Sequence, residues 1–282
     1  MDELKGRGAV VVGGGSGIGR GIALSLAAEG MQVLVADIDS ENADAVREEI
    51  GECGGEAFAA HVDATDRASL AQLAVGAAKD LGRVHLLVNT VGVHANAPVD
   101  SGEDVWAWFV EFHLMAAVRV VQAFVPLLRA HDDGAHLVLT SSMAGLVALS
   151  AEETNGTNTG VYTTLKHAVV GYGDMLRHDL ASEGIGVSVL CPGGVATKLA
   201  STSATQRPER FGGPMPDPMA GREIPPEVRA KLGVIPLEAV GPIVVRGIRA
   251  NRSYILTHPD MVDVVRARQE RLLEDFAFFA AT

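Results

Sequence analysis

Short apolar runs rich in β-branched residues recur along the chain at 9–12, 32–36, 57–62, 84–88, 135–140, 187–191 and 253–257. Between most of them, apolar residues fall at helical spacing, most clearly at 18–29, 41–50, 67–81, 103–129 and 161–183. Strands that are apolar almost throughout are buried on both faces, which is the condition of parallel strands whose crossover helices cover the sheet. With right-handed crossovers, the pattern predicts a doubly wound α/β sheet of about seven strands. The chain of 282 residues suits one such domain, spanning 1–282.

One region breaks the rhythm. Residues 198–236 hold seven of the 12 prolines and four glycines. A stretch of that length without repeating pattern is usually a functional cover or a linker. It follows the sixth strand at its carboxyl end, where such sheets bind ligands, so it reads as a substrate-covering loop, with a plain surface excursion as the alternative.

Composition narrows the partners. The net charge is −12, and no dense basic run is present, so nucleic acid and anionic membrane are poor partners. Cys53 and Cys191 have no metal-ligand or redox spacing, and Cys191 reads as a buried core thiol. No basic-then-apolar leader opens the chain and no apolar run nears the ~18 residues of a membrane span, so a cytoplasmic protein is expected.

The chemistry starts at the first strand–helix junction. Gly13, Gly17 and Gly19 form a glycine-rich turn between an apolar strand and a helix, where backbone N–H groups and the helix dipole can cradle a pyrophosphate. Asp37 ends the second strand, 18 residues past Gly19. A carboxylate there accepts hydrogen bonds from a ribose 2′-hydroxyl and repels a 2′-phosphate, which argues for NAD over NADP. Asp39 reads as the N-cap of the next helix. Asp63, ending the third strand, reads equally as an adenine ligand or a turn cap, and Asn89 ends the fourth. Tyr162 and Lys166, four apart, share one helix face. An ammonium beside a phenol supplies part of the roughly 4 kcal/mol needed to bring its pKa from ~10 to ~7. Ser141 and Ser142 end the fifth strand at the same sheet edge.

Together these residues, in this order and with Pro192, Gly193, Val195 and Thr197 after the sixth strand, resemble the short-chain dehydrogenase/reductase family over nearly the whole chain. The resemblance implies a Rossmann-type sheet, NAD as cofactor, and a secondary alcohol or ketone as substrate. It makes Tyr162 the general acid/base, has Lys166 lower its pKa and hold the nicotinamide ribose, and chooses Ser142 over Ser141 to polarise the reacting oxygen. Gly13, Ser16, Gly17, Ile18, Gly19, Asp37, Asp63, Ala64, Asn89, Tyr162, Lys166, Pro192, Gly193, Val195 and Thr197 then line the cofactor, with Val195 and Thr197 at the carboxamide. No metal site is implied. Family members commonly form tetramers, so a homotetramer or homodimer is expected, with 103–129 and 161–183 at the interfaces.

Three departures stand out. Val12 replaces the usual threonine. Asn89, Thr90, Val91 and Gly92 replace the usual Asn-Asn-Ala-Gly, at an expected cost in turn rigidity. His113 stands where the family places the asparagine of its proton relay; imidazole can take over that relay and make turnover more pH-sensitive, the alternative being a packing replacement that leaves the relay to water. The stretch 151–160 reads as an added loop at the site mouth, and His94 and Asn96 read as a solvated loop, with a reach to substrate as the alternative. Segments 206–211 and 254–259 are loosely similar to bacterial dehydrogenases of benzylic alcohols in lignin-type aryl ethers. Low charge around the site favours a hydrophobic cyclic or aromatic substrate. Two rival readings remain: a 3-ketoacyl-thioester reductase, disfavoured by Asp37 and the acidic surface, and a non-catalytic NAD(H) sensor, disfavoured by the intact Ser142, Tyr162 and Lys166.

Overall fold

The computed structural model describes residues 1, 3–130, 132–154, 156–218, 220 and 233–280. The expected strands all form: β1 (Gly8–Val12), β2 (Gln32–Asp37), β3 (Glu56–His61), β4 (Leu86–Asn89), β5 (Ala135–Thr140), β6 (Ile185–Cys191) and β7 (Tyr254–Leu256). They make one parallel sheet in the order β3-β2-β1-β4-β5-β6-β7. The chain winds outward from β1 to β3, then returns to β4 on the other side of β1. That reversal opens a crevice at the carboxyl ends of β1 and β4.

Alternation of side chains sorts the strands into two cores. Val10 and Val12 of β1, with Leu34, Leu87, Leu137 and Leu139, pack under α3 (Arg67–Leu81) and α5 (Ala116–Leu128). α6 (Gly160–Leu180) joins them on that face through Val169 and Leu180. Ala9 and Val11, with Val33, Val35, Val88 and Val138, meet α1 (Gly17–Ala28), α2 (Ser40–Glu52) and α8 (Val240–Arg249) on the other. Burial on both faces is therefore the physical content of the unbroken apolar runs.

The stretch expected as one helix at 103–129 carries an interruption. α4 (Glu103–Phe109) passes into a π-helical turn, Val110–Met115, before α5 resumes. One extra residue per turn rotates the following side chains, a device that recurs at functional sites. By length and composition the helix Glu103–Leu128 also qualifies as a membrane span, contrary to the sequence reading, with 39% of its apolar window buried. Val120, Val121 and Phe124 on α5 lie in the core.

α7 (Leu199–Thr205), α8 and α9 (Val262–Ala280) were not among the clear helical stretches. In α8, Gly241 and Gly247 mask the pattern. A Cβ at Gly241 would stand 2.0 Å from Ser25 Oγ of α1, and one at Gly247 2.5 Å from Ile255 of β7, so both glycines are packing requirements. α9 contributes no buried residue; Leu272, Leu273, Phe276 and Phe278 are all exposed on it.

Part of the region 198–236 is anchored. Arg207 donates to Asp104 Oδ2 at 2.7 Å and lies 4.9 Å above the Trp108 ring, pinning the segment to α4. Phe211 meets Phe112 edge-on. Residues 219 and 221–232 of the expected covering loop lie outside the described residues.

Candidate active site

The glycine turn has the backbone its sequence demands. Gly13 and Gly17 have φ of +81° and +49°, a region that L side chains rarely adopt. Gly19 must be glycine for another reason: a Cβ there would stand 2.0 Å from Gly13 O. Ser16 is exposed at the N-cap of α1 and its hydroxyl caps no backbone amide of the helix. Thr90 corrects an expectation. Rather than loosening the turn, its Oγ1 lies 3.0 Å from both Val12 O and Gly13 O, stitching the end of β4 to the glycine turn. Asn89 is buried, with Oδ1 accepting from Val91 N at 3.4 Å.

At the end of β2, Asp37 accepts from Gly15 N at 2.8 Å through Oδ2 and from Asp39 N at 3.1 Å through Oδ1. The carboxylate is thus fixed beside the glycine turn, and Asp39 caps α2 as expected. Asp63 caps its own turn: Oδ1 accepts from Thr65 N and Oγ1 at 2.8 and 2.7 Å. Ala64 beside it is buried.

Across the crevice, residues 192–197 form a strap after β6. A Cβ at Gly17 would lie 3.7 Å from Thr197 Cγ2, so the strap faces the glycine turn directly. Val195 pairs with Ile235 in a parallel bridge: Gly194 O accepts from Ile235 N at 3.0 Å, and Ile235 O from Ala196 N at 3.1 Å. Both ends of the 198–236 excursion are therefore tied at the strap.

Between turn and strap stands Tyr162, in the first turn of α6. Burial pushes its phenol up to about 12, partly offset by the polar Ser142 side chain. Ser142 Oγ also donates to Pro192 O at 3.2 Å, while Ser141 Oγ donates to Lys166 O at 2.8 Å and is buried. The structure thus turns Ser142, and not Ser141, toward Tyr162. Lys166 is 4% exposed, donates through Nζ to Thr140 O at 3.0 Å, and lies 5.4 Å from the Tyr162 ring centroid. Burial lowers its ammonium to about 7.

The π-helical turn aims His113 into this cluster, its ring edge-on to Tyr162 with centroids 5.3 Å apart. Nε2 lies 2.8 Å from Val93 O, an acceptor only, and 3.4 Å from Val93 N; the much shorter contact to the carbonyl puts the proton on Nε2. Nδ1 is buried with no hydrogen-bond partner among the described residues. A Cβ at Gly92 would lie 3.1 Å from that Nδ1 and 3.6 Å from Lys166 Nζ, so the ring packs closely on the bare glycine backbone. Burial, with the Lys166 charge second, holds the imidazole well below its ordinary pKa. It stays neutral near pH 7, so the extra pH sensitivity expected of His113 does not follow from its own titration.

His94 is not the solvated residue expected. Its ring lies 5.1 Å from Tyr162, edge-on, and its N–H donates to Ser203 Oγ of α7 at 2.9 Å. Asn96 is exposed, but its Oδ1 accepts from Asn158 N at 2.7 Å, and Ala97 N donates to Asn158 O at 2.8 Å. The added stretch 151–160 is thereby stitched to the segment after β4. Sequence reasoning attached no site role to His258 or Thr90; Thr90 meets Val12 O and Gly13 O, and His258 meets Gly193 N, across 65 or more positions of chain.

The family model of short chain dehydrogenases matches residues 7–208. A short-chain dehydrogenase/reductase from Burkholderia phymatum, solved in complex with NAD, superposes with a TM-score of 0.84 at 31% identity, covering 98% of this chain and 97% of that one. LigO of Sphingobium sp. strain SYK-6, in its apo form, gives 0.79 at 29% identity over 99% and 92%. The 1-deoxy-11-beta-hydroxypentalenate dehydrogenase of Streptomyces exfoliatus is 34% identical over 204 residues, 70% of each chain.

Proposed function

Because the chain belongs to the short-chain dehydrogenase/reductase family, we propose that it is an NAD-dependent oxidoreductase that interconverts a secondary alcohol and its ketone. The observation that carries this reading is the buried phenol of Tyr162 beside the Ser142 side chain, with Lys166 Nζ 5.4 Å from its ring centroid. The residues fit a dinucleotide. A side chain at Gly19 would collapse the turn, Ser16 leaves its hydroxyl uncommitted to capping, and Asp37 stands beside the turn where a ribose diol would lie. A carboxylate there disfavours a 2′-phosphate, which favours NAD over NADP. The B. phymatum relative with bound NAD supports the same choice.

When bound, NAD⁺ supplies the hydride acceptor and a cationic ring near the phenol. The chain's own residues handle the proton. Ser142 orients the substrate oxygen, and Tyr162 takes the hydroxyl proton in oxidation or returns it in reduction. Bringing a phenol from about 12 to pH 7 calls for roughly 7 kcal/mol of preferential phenolate stabilisation. Lys166 contributes part of it as an ammonium held in place by Thr140 O. His113 Nδ1, buried without a hydrogen-bond partner among the described residues, is the acceptor through which a water can pass the proton onward. Val93, His94, Trp108, Phe109 and Leu165 around Tyr162 make a largely apolar wall, which suits a hydrophobic cyclic or aromatic substrate.

We read the protein as a homodimer or homotetramer and as cytoplasmic; the free cysteines Cys53 and Cys191 suit a reducing compartment. The test of the activity is NADH formation across steroidal, benzylic, alicyclic and hydroxyacyl secondary alcohols, with NADP and Tyr162→Phe as controls. Turnover with NAD that disappears in the variant is expected. Tight NADH binding with no turnover on any alcohol would favour the sensor instead.

A further inference from the structure

We infer that His258 is a positioning residue for the nicotinamide end of the bound dinucleotide, an inference that rests on the NAD reading above. β7 ends at Leu256, and Thr257 and His258 follow it, both buried, against the strap after β6. His258 Nε2 lies 2.7 Å from Gly233 O, which only accepts, so Nε2 carries the proton. Nδ1 is then the acceptor. Gly193 N donates to it at 3.2 Å and to Thr257 Oγ1 at 3.1 Å, and Thr257 Oγ1 donates to the same Nδ1 at 2.7 Å. Both ring nitrogens of a neutral imidazole are committed, on opposite sides.

The fit is steric as well as polar. A Cβ at Gly193 would stand 2.6 Å from His258 Cγ and Nδ1, so the ring lies on the bare glycine backbone. From Gly193 the contacts run in a closed circuit. Gly194 and Ala196 bond to Ile235, the chain leads back from Ile235 to Gly233, and Gly233 O meets His258. The imidazole is the link that fixes both the strap and the returning end of the 198–236 excursion. The strap lies across the crevice from the glycine turn and Asp37, so loosening it displaces the nicotinamide end and leaves the adenosine end seated.

Titration calorimetry separates the two ends. NADH and ADP-ribose, which lacks the nicotinamide, are titrated into the full chain and its His258→Ala, His258→Asn and Thr257→Val variants. Loss of the strap bond in His258→Ala is expected to weaken NADH about three- to tenfold, as a net hydrogen bond of 0.5–1.5 kcal/mol allows, with ADP-ribose within twofold. His258→Asn restores an acceptor near Gly193 N and recovers most of the NADH affinity. Should His258→Ala not fold, Thr257→Val, which removes one acceptor of the same N–H, carries the test with the same bias toward NADH. Unchanged NADH affinity, or equal weakening of both ligands, overturns the role of His258. Failure of the wild-type chain to bind either ligand overturns the NAD reading beneath it.

Discussion

Burying Lys166, to which the proposed function gives part of the phenolate's stabilisation, costs the fold stability, and the cost can be read from pH. Its ammonium is 4% exposed, and burial lowers its pKa from 10.5 to about 7. At 1.36 kcal/mol per unit, that shift corresponds to about 5 kcal/mol by which the folded site disfavours the charged form. The buried site prefers the neutral amine, so between pH 7 and 10.5 the unfolded chain binds more protons than the folded one. Stability contributed by this group therefore rises with pH through that window. The penalty is nearly complete at pH 6.5 and has fallen to about 1–2 kcal/mol at pH 9.5. Replacing Lys166 by Met removes the titration while filling a similar volume, and leaves Thr140 O short of its donor at a cost of about 1–3 kcal/mol. The variant is expected to be more stable than wild type at pH 6.5 by roughly 2–4 kcal/mol and nearly equal at pH 9.5. The assay is reversible urea unfolding of cofactor-free protein at both pH values. Groups common to both proteins cancel, so the quantity read is a change of about 3 kcal/mol in the difference between them. A difference that stays constant with pH would refute the claim that burial sets the Lys166 proton.

Other consequences are as specific. Asp37→Ala removes the carboxylate beside the glycine turn that the proposed function assigns to the ribose, so the ratio of NAD to NADP efficiency should fall at least tenfold, about 1.4 kcal/mol, in initial-rate kinetics. His113→Phe keeps the aromatic packing against Tyr162 but removes both ring nitrogens; kcat should fall about 100-fold with NADH affinity within twofold, and His113→Asn should recover much of it. Thr90→Val breaks the stitch to Val12 O and Gly13 O, and chemical denaturation should show a loss of about 1–2 kcal/mol.

What was legible in the sequence is what repeats locally. The strands announced themselves because crossover helices bury both faces, leaving 9–12 wholly apolar and admitting into 187–191 only Ser188, whose hydroxyl is hydrogen-bonded to His136 and Arg252 O. The glycine turn was legible because Gly13 and Gly17 adopt positive φ and Gly19 has no room for a side chain. α9 hid for the opposite reason: it buries nothing, so no core imposes a stripe on it. The π-helical turn at Val110–Met115 hid because one added residue shifts helical spacing too little to notice over 27 residues, yet it is what swings His113 toward Tyr162.

Contacts between distant parts of the chain were the least legible, and they carry most of the site's rigidity. Neighbouring serines at a strand end differ only in what they meet: Ser141 finds Lys166 O and Ser142 finds Pro192 O and Tyr162, a choice made by β6 and α6. Thr90 looked like a defect because its partners, Val12 O and Gly13 O, lie 77 or more residues away. His94 and Asn96 looked solvated because Ser203 and Asn158, which hold them, belong to segments with no periodic pattern. Asp63 shows the limit from the other side. The sequence left it as adenine ligand or turn cap, and the cap is made with Oδ1 alone, on Thr65. A carboxylate has a second oxygen, so capping the turn and receiving an adenine amino group are not competing roles here. The turn cap on Thr65 holds the carboxylate in place through Oδ1.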